Sequence, residues 1–150
     1  MFWSHRTKRV IVIKYFMKLN IMSMIYAIML SIEVQLLVNI YRISRIVGGD
    51  VSFVANLVYT LIFIVFILFT VLLVFLNKRY FIISKLKLKL VTVILWIPYF
   101  VLINSLFNYF FPISNKGDSP TPFLGLMGII IIIIHFILVV LLNLLTLKKQ

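Results

Sequence analysis

Two ionisable side chains interrupt the long apolar runs of this sequence and are the first candidates for chemistry. Glu33 stands in the run that begins near Asn20, and His135 directly follows the isoleucines 129–134. A charged group in the middle of a membrane costs about 3 kcal/mol on insertion scales, so such a residue indicates either a function or a bonding partner. Counted from the ends of their runs, Glu33 and His135 lie at a similar depth. We therefore expect that they bind each other across neighbouring helices or, alternatively, that each bonds separately to another helix or to water.

Uncharged polar side chains form a second pattern, at a common depth in three of the apolar runs. They are spaced about one helical turn apart and lie toward the side that is predicted below to face outward. They are Gln35, Asn39, Asn56, Thr60, Asn104 and Asn108. The pattern favours two interpretations: a polar pocket that opens outward, or hydrogen bonds that hold the helices together.

The lack of cysteine and the presence of only two histidines exclude several kinds of chemistry. Disulfides and thiolate metal sites need cysteine, a bis-histidine haem needs two imidazoles in the membrane, and zinc needs three or four ligands. The sequence also contains no phosphate-binding glycine loop and no metalloprotease or serine-hydrolase motif. We therefore predict no metal, no cofactor and no enzymatic activity. One catalytic alternative is left, an aspartyl-type membrane protease that uses Asp50 and Asp118 on the outer side.

The composition indicates which elements must position these residues. Hydrophobic residues make up 64% of the 150 residues and charged residues 12%, whereas soluble domains contain about 45–50% and about 25%. Four runs reach the roughly 20 helical residues that cross a bilayer. Because backbone groups in lipid must be paired within each run, helices are favoured over strands. We predict an all-α integral membrane bundle of four transmembrane helices, at about residues 20–41, 53–76, 90–111 and 123–147.

Basic residues predict the orientation, because lysine and arginine accumulate on the cytoplasmic side of membrane proteins. Of the 15 lysines and arginines, twelve precede the first run, separate the second from the third, or follow the fourth. Both termini are therefore predicted to be cytoplasmic. Residues 1–19 form a basic interfacial segment that we expect to remain attached as a signal anchor, and residues 148–150 form a tail. The lysines expected to contact anionic lipid headgroups are Lys14, Lys18, Lys85, Lys87 and Lys89.

These features lead to a hypothesis of function through protein contacts. Short loops and hydrophobic helices favour a small bacterial multi-pass protein of the inner or plasma membrane that binds another membrane protein or a membrane-active peptide. A bacteriocin or toxin immunity protein and an accessory subunit of a membrane complex are the two forms we expect. The alternative is a small ion-coupled transporter or carrier that uses Glu33, with or without His135, as a homo-oligomer. Nucleic acid is not an expected partner despite the net charge of +12, because the charges gather between the apolar runs.

Overall fold

In a computed structural model, the described part of the chain consists of five α-helices and one short 3-10 turn, with the segments that connect them. The structure describes the backbone of residues 2–80 and 86–145 and the side chains of residues 16–79 and 91–145. The helices are α1 (Phe2–Val38), α2 (Ile40–Val47), α3 (Val51–Tyr80), α4 (Leu86–Phe110) and α5 (Pro122–Leu145), and the 3-10 turn is Lys116–Asp118. No strand occurs in these ranges, so the all-α prediction is confirmed.

Four of the helices contain a segment that is long and apolar enough to cross a membrane. These segments are Phe16–Val38, Val51–Arg79, Val91–Phe110 and Pro122–Leu145. The protein is therefore an all-α bundle with four membrane-spanning helices, as predicted from the length of the apolar runs.

Three helices, α1, α3 and α4, extend clearly further than the sequence indicated, and α4 does so by beginning at Leu86 instead of near residue 90. α1 already begins at Phe2, and its 37 residues make it about 55 Å long at 1.5 Å per residue. This length exceeds the hydrocarbon thickness of about 30 Å, so α1 continues beyond the membrane segment. α3 continues through Asn77, where we expected a loop, to Tyr80. Lysine and arginine in its last turn are favourable there, because the carboxyl end of a helix carries partial negative charge.

A short helix, α2, occupies the position where we expected the end of the first span and a loop. α2 ends at Val47 and is capped by Gly48, whose φ of +68° is a left-handed conformation that glycine adopts more easily than residues with a Cβ. The Gly48 N–H donates to the carbonyl of Ser44, and Ser44 Oγ donates to the carbonyl of Gly49 at 2.7 Å. This cap ends α2 and turns the chain toward α3.

α1 is the central helix of the bundle. It contacts α3, α4 and α5, and α5 contacts both α3 and α4, whereas α3 and α4 do not contact each other in the described part of the chain. Half of an 18-residue stretch of the α1 membrane segment is buried, compared with 11% of a stretch of the same length in α3 and 17% in α4. The three outer helices therefore surround α1 in an incomplete ring that has a gap between α3 and α4.

Candidate functional site

Glu33 is buried in the membrane segment of α1, where only 1% of its surface is exposed. Its Oε1 atom has no hydrogen-bond partner within the described residues. The side chain lines a cavity of about 390 Å³ between α1, α3 and α5, which we call the Glu33 cavity. Apart from Glu33 and the hydroxyl of Tyr59 the lining is apolar, and it consists of Leu37, Ile62, Phe63, Phe66, Met127, Ile131 and Ile134.

Three aromatic side chains of α3 form one wall of the Glu33 cavity. Tyr59, Phe63 and Phe66 are spaced four and three residues apart, which places them on one face of the helix. Phe63 is 64% exposed and Ile134 is 48% exposed, so the cavity opens sideways between α3 and α5. These aromatic residues could not be singled out from the sequence, because they stand in a run whose apolar residues occur on every face of the helix. Their helical spacing was the one signal available.

His135 is also buried, but it contacts aromatic rings instead of Glu33. Its ring centroid lies 5.3 Å from that of Trp96 and 6.3 Å from that of Tyr26, and both contacts are edge-on. Neither nitrogen of His135 has a hydrogen-bond partner within the described residues. Tyr26 precedes Glu33 by seven residues, which is about 10 Å along α1. The structure therefore does not bring Glu33 and His135 together, and this corrects the pairing expected from depth alone.

Three of the six polar residues predicted at a common depth meet where α1 packs against α4. Gln35 Nε2 donates to Asn104 Oδ1 at 2.7 Å, and Asn39 Nδ2 donates to Gln35 Oε1 at 3.0 Å. Asn104 Nδ2 donates in turn to Ser31 Oγ at 2.9 Å. The bonds of Asn104 to Gln35 and Ser31 join α4 to α1, in line with the second of the two interpretations, whereas the Asn39 bond is local to the end of α1. Gln35 and Asn39 also line a groove of about 440 Å³ between the α1–α2 junction and the end of α4.

The other three residues of that set are exposed and do not join the cluster. They are Asn56, Thr60 and Asn108. The Thr60 hydroxyl donates to the carbonyl of Asn56 at 2.8 Å, within α3. α3 buries the face that carries Val54 and Val58, and Asn56 lies away from this face. A single outward pocket lined by all six residues is therefore not formed.

A buried hydrogen-bond network that was not predicted from the sequence lies near the opposite end of the bundle. Asn77 Nδ2 donates to Tyr26 Oη at 2.8 Å, and the side chain of Asn143 also hydrogen-bonds Tyr26. Thr92 Oγ1 donates to Asn143 Oδ1 at 3.2 Å. Each of these four side chains comes from a different membrane-spanning helix and is at most 2% exposed. The network therefore ties α1, α3, α4 and α5 together.

The two acidic residues outside the membrane segments bond to different partners. Arg45 Nε and Nη2 donate to the two carboxylate oxygens of Asp118 at 2.8 and 2.6 Å, which lowers the pKa of Asp118 and raises that of Arg45. Asp50 accepts from the hydroxyl of Ser52 and from the backbone N–H of Ser52 and Phe53. These bonds cap the start of α3. They also lower the pKa of Asp50, and the bond from the Ser52 hydroxyl contributes most to this shift.

The predicted lipid-contact lysines fall mostly outside the described side chains. Lys18 is exposed near the start of the α1 membrane segment, whereas the side chains of Lys14, Lys85, Lys87 and Lys89 lie outside the described residues. Within residues 16–79 and 91–145, no three His, Cys, Asp or Glu side chains are grouped so that they could hold a metal ion.

The fold places this chain in the class of multi-pass membrane proteins with four spanning helices. No protein-family model, curated protein or solved structure matches the chain.

Proposed function

We propose that this chain is a small multi-pass protein of a bacterial cell membrane that acts by binding another membrane protein or a membrane-active peptide. An immunity protein against such a peptide and an accessory subunit of a membrane complex both work in this way. The observation that carries the proposal is an uncovered face on α1, the helix that is otherwise the most buried. Its residues, which we call the α1 stripe, are the exposed Met17, Ile21, Met24 and Ile32 and, between them, the half-buried Ile28.

The α1 stripe has the geometry of a helix-packing surface. Its members follow one another at intervals of three or four residues, so they form one continuous line along the helix. Met17, Ile21, Met24 and Ile32 are between 38% and 57% exposed. Because α3, α5 and α4 cover the other sides of α1, the stripe faces the gap between α3 and α4. A partner helix in this gap would contact three helices at once and complete the ring.

One end of the gap carries polar groups that a partner helix would also meet. Gln35, Asn39 and Arg42 line the groove at the α1–α2 junction. Arg42 Nη1 donates to the carbonyl of Phe111 at 3.0 Å, which holds its positive charge at the rim of that groove. We therefore propose a partner helix that is apolar along most of its length and has polar or acidic side chains where it passes Arg42.

A matched set of tryptophan variants tests the proposal. Met24→Trp and Ile32→Trp add bulk on the α1 stripe, while Ile94→Trp and Ile133→Trp add the same bulk at positions of α4 and α5 that are 69% and 54% exposed. We expect the stripe variants to lose protection of cells against a panel of membrane-active peptides, or to lose co-purification with the complex that the wild type joins. The control variants should behave like the wild type. Stripe variants that retain both properties would exclude this surface as the functional one.

The cytoplasmic position of both termini is part of the same proposal and rests on the twelve basic residues on one side. The chain has no cysteine, so single cysteines report accessibility without background. A cysteine at Ser114 should react with an impermeant maleimide in intact cells, and a cysteine at Lys78 should react only after the cells are opened. The reverse result would invert the orientation.

An ion-coupled carrier is a second candidate, favoured by the unpartnered and buried carboxyl of Glu33. Because His135 contacts other residues, Glu33 would act in such a carrier without His135. Proton-coupled flux in proteoliposomes, lost in Glu33→Gln and kept in His135→Gln, would favour this candidate over the first.

A further inference from the structure

We infer that the Glu33 cavity is a binding site for a hydrophobic ammonium cation. The inference does not depend on the function proposed above, because the cavity lies between α3 and α5 and the α1 stripe faces the gap between α3 and α4. Three features of the cavity lead to this ligand: its carboxyl group, its aromatic wall and its size.

The carboxyl group of Glu33 indicates a ligand that carries positive charge. A buried polar atom without a partner is costly, so native structures rarely keep one without a reason. Glu33 is 1% exposed and its Oε1 atom has no partner. No basic side chain of the described residues lines the cavity. The missing partner must therefore be a group that the described chain does not supply.

The aromatic wall of the cavity indicates that the partner of the Glu33 carboxyl group is an organic cation. The faces of Tyr59, Phe63 and Phe66 attract a cation through their π-systems, and quaternary ammonium groups are commonly bound by such rings. A metal ion would need several oxygen ligands, whereas the cavity offers one carboxyl and one hydroxyl. An anion would be repelled by Glu33. A neutral hydrocarbon would fit the apolar lining but would leave the carboxyl unpaired.

The size and position of the cavity indicate how large the ligand is, what its uncharged part consists of and where it comes from. About 390 Å³ lies within the range of 300–1,000 Å³ that is typical of small-molecule sites. Leu37, Ile131 and Ile134 line the remainder, so the body of the ligand is hydrophobic. Glu33 lies five residues before the end of α1 at Val38, about 7.5 Å along the helix. At this depth the ammonium group can belong either to a free hydrophobic amine or to a lipid headgroup that enters from the side.

Calorimetric titration with benzyltrimethylammonium tests the inference on the full chain in phosphatidylglycerol nanodiscs. Partition of the cation into empty nanodiscs is measured separately and subtracted. We expect saturable binding that Glu33→Gln weakens at least about tenfold, because coupling energies of close charge pairs start near 1.5 kcal/mol. Asp50→Asn is the matched control: it removes one carboxylate outside the cavity and should change Kd less than twofold. The neutral isostere neopentylbenzene should not displace the cation.

A second pair of variants keeps the inference testable if Glu33→Gln folds poorly. Phe63→Leu removes a ring from the cavity wall and should raise Kd about two- to fivefold. Phe53→Leu changes an exposed ring of the same helix that does not line the cavity and should have no effect. Equal binding by wild type and Glu33→Gln would overturn the inference, and so would displacement by the neutral isostere. So would equal effects of the two phenylalanine variants.

Nanodiscs of half phosphatidylglycerol and half phosphatidylethanolamine are compared with nanodiscs in which a neutral glycolipid without an amine replaces the phosphatidylethanolamine, so that both membranes carry the same surface charge. A lower apparent affinity for benzyltrimethylammonium in the nanodiscs with phosphatidylethanolamine would identify the lipid headgroup as the occupant, and equal affinity would identify a free amine. Tryptophan variants of the α1 stripe should bind the cation normally, so failure of this inference and failure of the proposed function are separate results.

Discussion

Replacing Asn77 by leucine should destabilise the bundle only while Tyr26 keeps its hydroxyl. The Asn77 amide donates to Tyr26 Oη at 2.8 Å, and both side chains are at most 2% exposed. Leucine is close to asparagine in size but cannot donate. The substitution therefore removes one hydrogen bond between α3 and α1 and leaves most of the packing in place.

The magnitude follows from what each variant leaves unpaired. In Asn77→Leu the Tyr26 hydroxyl still bonds to Asn143, so the loss should be close to one membrane hydrogen bond, about 0.6 kcal/mol and at most about 1.7 kcal/mol. In Tyr26→Phe the Asn77 amide loses this partner while still buried, and a buried donor without a partner costs about 1–3 kcal/mol. Adding Asn77→Leu to Tyr26→Phe removes that stranded amide and should cost nothing or restore stability.

A double-mutant cycle measures the coupling between the two residues. Unfolding of the wild type, both single variants and the double variant can be followed in mixed detergent micelles by far-ultraviolet circular dichroism. The fluorescence of Trp96, whose ring packs near the network against His135, gives a second signal. We expect a coupling free energy of about 0.6–1.7 kcal/mol. Additive single effects, with no coupling beyond experimental error, would refute the argument that this hydrogen bond helps to hold α3 against α1.

Two further predictions concern the region around α2. The Arg45 guanidinium lowers the pKa of Asp118 from its ordinary value of 3.8, so the stability that the ion pair contributes is present above that value and is lost as pH falls through the folded pKa. Asp118→Asn should therefore melt at a lower temperature than the wild type at pH 6, and the difference between the two melting temperatures should shrink as the pH falls below 3.8; a difference that stays constant across this range would contradict the pair's role. Gly48→Ala should cost about 1 kcal/mol because of the left-handed φ of +68°, whereas Gly125→Ala, within α5 and with no atom within 4 Å of the added Cβ, should be neutral or stabilising. Equal stability changes in these two glycine variants, measured in the same detergent, would show that the α2 cap has no special conformation.

The number and type of the membrane helices could be predicted because the bilayer sets a minimum length for an apolar run. The ends of the helices could not be predicted in this way, because a helix continues past the end of an apolar run as long as the following residues can also adopt helical backbone angles. α3 therefore continues past Asn77 to Tyr80, and α1 includes the predicted interfacial segment. α2 was missed because its eight residues follow α1 after a single non-helical residue, Asn39, which no local signal marked as a break.

Only the ionisable residues of the candidate site could be predicted from the sequence. Glu33 and His135 stand out because charge is rare in such runs, but their surroundings depend on how the helices rotate against each other. Sequence depth alone placed the two residues together, whereas the structure turns His135 toward Trp96. The sequence does not distinguish the aromatic residues Tyr59, Phe63 and Phe66 in this way, because aromatic rings are equally compatible with a lipid-facing position and with a binding cavity.

The central position of α1 has a consequence for how the chain is assembled. Chain order brings α1 into the bilayer before α4 and α5, yet these later helices cover most of its polar side chains. Until α4 arrives, Gln35 and Ser31 lack the amide of Asn104 that they bond in the finished bundle. The helix that enters the membrane first is therefore fully packed only after the last helices have been inserted. An insertion intermediate that ends after α3 offers this face to any foreign helix or quality-control protease in the same membrane.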